Sequence, residues 1–296
     1  MTLQVKVVSP WFGSLETTEA FFSSRIASED ADALLCDWAP SDELLTFKGR
    51  KAWYCCEPAA HFRSLGSGDW PSLRSRLADG EFLWHGHQNP LYRVPHITHV
   101  ENLQMNRSGG RLDRAVAIVS NYGGPPFRRG RGTRLRNKFV SSQLVDLFGR
   151  ESWSAYRERW FSRARAPRSY KGNIAGDWSA AGKRQVLSQY RVAICMENAN
   201  EPGYFTEKFV DAVCAGCVPV YHADETSAAG PLKGAFWIDP ADYGNDSDAT
   251  IAAALAADMQ SVQDLNTIWL ESNNALRMSG LEEVYRTIGS ILSRSL

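Results

Sequence analysis

The chain has 296 residues, and 33 Lys and Arg balance 33 Asp and Glu, so the formal net charge is zero. That balance excludes a uniformly basic nucleic-acid coat protein and an acidic tail protein. A content of 44% hydrophobic and 22% charged residues excludes a disordered chain.

In chain order, residues 3–9 (LQVKVVS), 32–38 (DALLCDW) and 51–56 (KAWYCC) read as strands, and Trp70 to Leu77 reads as a helix. A polar, Gly-rich stretch at residues 106–113 (NRSGGRLD) reads as a domain boundary. A strand at Ala115–Ser120 follows, then the loop NYGGPPFRRGRG and a helix expected from about Leu135 to Leu147. Two helical stretches lead to a strand at Tyr190–Met196. Thr206 reads as the N-cap of the helix TEKFVDAVCA, with Gly216 at its C′ position. A strand at Cys217–Tyr221 follows, and Phe236–Asp239 is a candidate for one more. Residues 246–296 carry apolar residues at helical spacing. Alternating strands and helices predict an α/β fold with parallel sheets. The expected domains are residues 1–108, residues 109–275 and a C-terminal helix at 276–296. No apolar run approaches the ~18 residues of a membrane helix, and the first residues lack a signal-peptide pattern. A cytoplasmic protein is expected, peripheral to the inner membrane at most, with no stable membrane insertion.

The zero net charge is uneven along the chain. Residues 1–110 carry −3, residues 111–200 carry +12 and residues 201–296 carry −9. A basic block between acidic flanks points to an anionic ligand. The run FRRGRGTRLRNK can steer a phosphate, be a solvated loop, or touch nucleic acid; with only Tyr122 and Phe127 nearby it lacks a stacking platform. Six cysteines, including the single pair Cys214 and Cys217, read as buried packing rather than disulfides or zinc ligands. His85, His87, His96 and His99 cluster in sequence, but Pro90 and Pro95 interrupt any helix that would align them, and no metal site is expected.

Ligands of open α/β sheets bind at the carboxyl ends of strands. That rule puts Glu57, Asn121 and residues 197–200 at ligand-facing edges. Glu207 and Lys208 fall in the first turn of a helix, whose amino end attracts anions. A lysine there runs against the dipole preference unless it faces a bound anion. Glu207 could then accept from a ribose diol; an ordinary solvated Glu-Lys pair is the equal alternative.

The run M-E-N-A-N…G-Y-F-T-E-K-F-V-D-A…A-G-C-V-P-V-Y, residues 196–221, resembles the signature of the α-1,3-fucosyltransferases, glycosyltransferase family 10. Ile118–Asn121 with Arg136-Asn137, Trp53–Pro58 and residues 236–243 (FWIDPADY) resemble further family segments in the same order. The likeness is strongest over residues 190–221. It implies a GT-B architecture, two Rossmann-like domains facing across a cleft, with a helical C-terminal tail. It implies an inverting transfer of fucose from GDP-fucose to a sugar hydroxyl of a glycan, with no cofactor required. By the same resemblance Glu57 is the catalytic base, and Asn121, Arg136, Glu197, Asn198, Tyr204, Glu207 and Lys208 form the donor site. Arg168 and Lys171 are the candidates for a diphosphate contact upstream of the signature strand. The chain departs from the family in having Met196 before Glu197-Asn198, where an aromatic is usual, and in the segment VYHADE (220–225). The partners expected are a nucleotide sugar and a glycan, not nucleic acid. The alternatives are the same scaffold with another nucleotide sugar, and a non-catalytic nucleotide- or nucleic-acid-binding protein.

Overall fold

The computed structural model describes residues 4–8, 30–36, 43, 46–55, 81–84, 103–119, 131–149, 169–174, 180–198, 203–273 and 292. The chain divides into two compact units, residues 1–98 with 275–296, and residues 99–274. The Gly-rich stretch at 106–113 therefore falls inside the second unit, and the C-terminal segment belongs with the first.

The first unit contains strands β1 (Val5–Val8), β2 (Ala33–Cys36), β3 (Arg50–Cys55) and β4 (Glu81–Trp84). They lie in the order β1-β2-β3-β4, all parallel. Ala33, Leu34 and Leu35 are wholly buried. Such continuous apolar runs are what parallel strands covered on both faces require. The strand β4 has no counterpart in the sequence reading. The expected helix at 70–77 lies outside the described residues, as does the segment 276–296 apart from Leu292, which is helical.

The second unit is built on β5 (Leu112–Val119), β6 (Val145–Gly149), β7 (Tyr170–Asn173), β8 (Tyr190–Ile194) and β9 (Val218–Val220). The helices are α1 (Arg131–Val140), α2 (Ala180–Leu187), α3 (Glu207–Cys214), α4 (Glu225–Ala229), α5 (Ser247–Ala256) and α6 (Met259–Ser272). The strand order is β7-β6-β5-β8-β9, with every pair parallel. After β7 the chain crosses back to the other side of β5. The order therefore reverses between β5 and β8, and in open parallel sheets the ligand crevice opens at that reversal, beyond the strands' carboxyl ends.

One face of this sheet carries every second residue, as strand pleating dictates. Ala115, Ala117, Val119, Val145, Leu147, Val192, Ile194, Val218 and Val220 pack against Phe139 and Val140 of α1, Ile251 and Ala254 of α5 and Val262 of α6. Helices α2 and α3 pack on each other and on β8 and β9.

Two expectations need correction. The helix expected to run to Leu147 ends at Val140, and residues 145–149 are strand β6. Leu144 and Leu147 continue the helical spacing of Leu135, Phe139 and Val140, so periodicity alone could not separate a helix from a short strand. The strand β7 also went unread, because YKGN alternates exposed and half-buried residues at the sheet edge and Gly172 sits at φ +118°. The segment at 236–239 contributes only a single parallel bridge, Ile238 to Val220.

Candidate functional site

The candidate site begins where β8 ends. Beyond Ile194 the chain delivers Glu197 and Asn198 to the carboxyl edge of the sheet, beside the reversal of strand order. Helix α3 then starts at Glu207, capped by Thr206 in extended conformation (φ −126°, ψ −177°), as the sequence predicts. Gly216 ends the helix at φ +75°. The Cys217 N–H reaches the Ala212 carbonyl at 3.0 Å and the Gly216 N–H reaches that of Val213 at 2.8 Å, closing the last turn. A Cβ at Gly216 would lie 2.1 Å from the Asn106 carbonyl oxygen, so glycine is required there. The Arg111 guanidinium donates to the carbonyls of Ala215 (2.8 Å), Asn106 (2.9 Å) and Tyr190 (3.0 Å), satisfying the negative end of the helix.

The body of α3 is held by aromatic packing. Phe209 meets Tyr221 and Trp269 edge-on at 5.3 Å each, and Phe205 at 5.8 Å. Each such pair contributes about 0.5–1.5 kcal/mol beyond its buried area. This anchors the axis of α3, so its amino end has a fixed position.

That end is locked by Glu197. Its side chain is only 5% exposed. The Thr206 backbone N–H donates to Oε1 at 2.7 Å, and the Thr206 hydroxyl lies 2.9 and 2.7 Å from the two carboxylate oxygens. The Lys208 ammonium donates to Oε2 at 3.1 Å and to the Thr206 hydroxyl at 2.8 Å, and the Tyr221 hydroxyl approaches Oε1 at 3.4 Å. Burial pushes the Glu197 carboxyl up from its ordinary range, over the opposing pull of Lys208. Lys208 thus stands over the first turn of α3 on a buried counter-charge.

A second group of charges continues from there. Lys208 Nζ is 3.9 Å from Glu207 Oε1, and Lys183 of α2 is 3.6 Å from the same oxygen. Lys183 is also 2.9 Å from Asp211 Oδ2, and Arg184 Nε donates to Asp211 Oδ1 at 2.9 Å. Burial works to lower the Lys183 pKa, but Glu207 and Asp211 outweigh it and the ammonium is held more firmly charged. Burial raises the Asp211 carboxyl despite its two cations.

Arg136 of α1, almost wholly buried, donates through Nη1 to the Asn198 side-chain carbonyl. Two residues chosen from sequence, 62 positions apart, therefore meet at the same edge. Tyr204 is buried beside the helix start. Of the remaining candidates, Lys171 is not brought here. Its ammonium is 3.5 Å from Asp146, which also takes Arg114 at 2.8 Å and the Tyr190 hydroxyl at 3.1 Å. Arg114 and Tyr190 belong to the amino-terminal parts of β5 and β8, away from the edge that Glu197 occupies. Glu57, Asn121 and Arg168 lie outside the described residues, as do His85, His87, His96 and His99. Cys195, Cys214 and Cys217 are buried free thiols, and burial pushes Cys214 up to about 11 and Cys217 to about 12.

Sequence reasoning missed Lys183, Arg184 and Asp211. A signal was present: Glu207 and Asp211 are like charges four residues apart on one helix, a mildly repulsive spacing that a cation from elsewhere relieves.

Among the described residues, no helix is long and apolar enough to cross a membrane. No protein-family model matches the chain, and no curated protein matches it in sequence. Among solved structures it is similar to an α-glucosyltransferase in complex with UDP-glucose and DNA containing an abasic site, with TM-score 0.56 and 11% identity over 98% of this chain and 90% of that one. It is also similar to OtsA in its apo form, with TM-score 0.51 and 12% identity over 89% of this chain and 73% of that one. The fold is that of these GT-B glycosyltransferases. An α1,3-fucosyltransferase is similar at TM-score 0.49 and 14% identity, covering 99% of this chain and 91% of that one, a value too low to bear on the donor.

Proposed function

We propose that this protein is a nucleotide-sugar glycosyltransferase that transfers fucose from GDP-fucose to a sugar hydroxyl of a glycan, with inversion at the anomeric carbon. The observation that carries this reading is the lock of Glu197, Thr206 and Lys208 at the amino end of α3, beside the strand-order reversal. The first-turn amides of α3 and the Lys208 ammonium offer a cationic seat for a diphosphate. Glu207 suits a ribose diol, and the Arg136–Asn198 contact sets an amide at the same edge. The glycosyltransferase fold supports the reaction class, and the signature at residues 196–221 supports the donor.

In this reading Glu57 takes the proton from the acceptor hydroxyl as its oxygen attacks the anomeric carbon. The bond from that carbon to the β-phosphate oxygen breaks, and GDP leaves with its new negative charge met by Lys208 and the helix amides. The chain's own cations carry the diphosphate, and no cofactor is required. The test is Glu57→Gln. Transfer from GDP-fucose to a glycan array should fall about 100-fold or more, the scale of a lost general base. GDP binding should stay near wild type. Wild-type turnover in that variant ends the role of Glu57.

A further inference from the structure

We infer that Lys183, on α2, is a positioning residue that sets the Glu207 carboxylate for the cis-diol of a nucleotide ribose. This rests on the proposed nucleotide site at the amino end of α3. Glu207 and Asp211 lie one turn apart on α3 and repel each other. Lys183 lies between them, 3.6 Å from Glu207 Oε1 and 2.9 Å from Asp211 Oδ2, on a side chain only 18% exposed. Asp211 is itself buried and is shared with Arg184. Lys183 is therefore anchored at Asp211 and extends that anchor to Glu207. Glu207 stays partly exposed, with the same Oε1 3.9 Å from Lys208.

A carboxylate on a mobile stem loses rotamer freedom when it binds a diol. One already tethered through a buried ammonium loses less, so the tether favours ligands that possess the diol. A diphosphate that drew Lys208 toward itself would leave Lys183 still holding Glu207, at 3.6 Å. Arg184 is the internal control. It holds the same Asp211 from the same helix, through the other carboxylate oxygen, Oδ1, at 2.9 Å.

The experiment titrates GDP and 2′,3′-dideoxy-GDP calorimetrically into the full chain as wild type, Lys183→Met, Lys183→Arg and Arg184→Met. Wild type should prefer GDP by about ten-fold, the scale of a hydrogen bond to a charged group. Lys183→Met should reduce that preference to within about two-fold, while Lys183→Arg and Arg184→Met retain it. A Lys183→Met variant that weakens both nucleotides equally, or an Arg184→Met variant that loses the preference as well, makes Lys183 a structural brace and overturns the inference. If Lys183→Met does not fold, Lys183→Gln takes its place: loss of the preference with GDP binding retained supports the inference, and an unchanged preference overturns it. Wild type that binds GDP without discriminating the two nucleotides overturns the inference and leaves the nucleotide site standing. Wild type that binds neither GDP nor UDP removes the site and the inference together.

Discussion

Asp146 and Glu197 are both buried carboxylates on the same sheet, and their acidities move in opposite directions. At Asp146 burial acts to raise the pKa, but the Arg114 guanidinium and the Tyr190 hydroxyl outweigh it, and the carboxyl is held below its ordinary value. At Glu197 burial wins over Lys208, and the carboxyl is raised. The difference lies first in depth, since Glu197 is fully enclosed and Asp146 only in part, and then in the partners. Arg114 and Lys171 are well exposed and bring hydrated charge to Asp146. Among the described residues, Glu197 is paired with one ammonium, that of Lys208, itself mostly buried. The Asp146 cluster is a settled brace. The Glu197 cluster holds charge that is costly to keep in place, and perturbed carboxylates gather at functional sites for that reason.

The largest expected effect comes from removing each acid. Glu197→Ala leaves the Thr206 amide and the Lys208 ammonium without their counter-charge and should cost about 3–5 kcal/mol of stability, the scale for breaking a buried pair. Asp146→Ala leaves its cations free to reach water and should cost about 1–3 kcal/mol. Urea unfolding at neutral pH measures both. An Asp146→Ala variant that is the less stable of the two breaks the comparison.

Next in size is the pH dependence of Lys208→Met. With the ammonium gone, the buried Glu197 carboxylate destabilises the folded chain at neutral pH. Its raised folded-state pKa means the native form binds a proton that the unfolded form, with an ordinary value near 4.3, has released. Stability relative to wild type should therefore recover as pH falls toward that value. For Asp146 the sign is opposite. Its lowered pKa contributes stability present above about 3.9 and lost as pH falls through the folded value. A Lys208→Met deficit that grows on acidification contradicts the assignment.

The smallest effect concerns His222, whose Nδ1 lies 3.0 Å from Asp239 Oδ1. The hydrogen bond to Asp239 raises the His222 pKa, over the opposing effect of burial. For Asp239, burial opposes and the His222 contact lowers it. The histidine's contribution is full below about pH 6.5 and is lost as pH rises through its folded value. The aspartate's is present above about pH 3.9 and is lost as pH falls through its own. His222→Gln should remove about 1 kcal/mol between those limits and progressively less as pH rises through the histidine's folded value, read from melting temperature against pH.

Much of the site was legible in sequence because its elements are local. The N-cap at Thr206, the glycine at 216 and the strand running into Glu197-Asn198 each follow from neighbouring residues. The resemblance of Ile118–Asn121 with Arg136-Asn137 to a further family segment added the Arg136 partner, which no local pattern joins to Asn198. What stayed hidden was tertiary. Lys183 and Asp211 acquire meaning only when α2 meets α3, and nothing in the sequence shows that Lys171, a candidate for a diphosphate contact, faces Asp146. The charge asymmetry also changes meaning. Arg111 and Arg191 spend their charge on backbone carbonyls, Lys183 and Arg184 on Asp211, and Arg114 on Asp146. In the acidic third, Asp224, Asp239, Asp246 and Asp258 cap helices. Part of the basic surplus is thus structural, which leaves a smaller share for an anionic ligand.

The most direct test of the central claim is GDP affinity in wild type, Lys208→Met and Lys171→Ala, measured by calorimetry on folded protein. A diphosphate seat at the amino end of α3 predicts that Lys208→Met weakens GDP by about ten-fold or more, the scale of a charge-assisted contact, and that Lys171→Ala stays within about two-fold of wild type. Wild-type affinity in Lys208→Met, or a loss confined to Lys171→Ala, contradicts it.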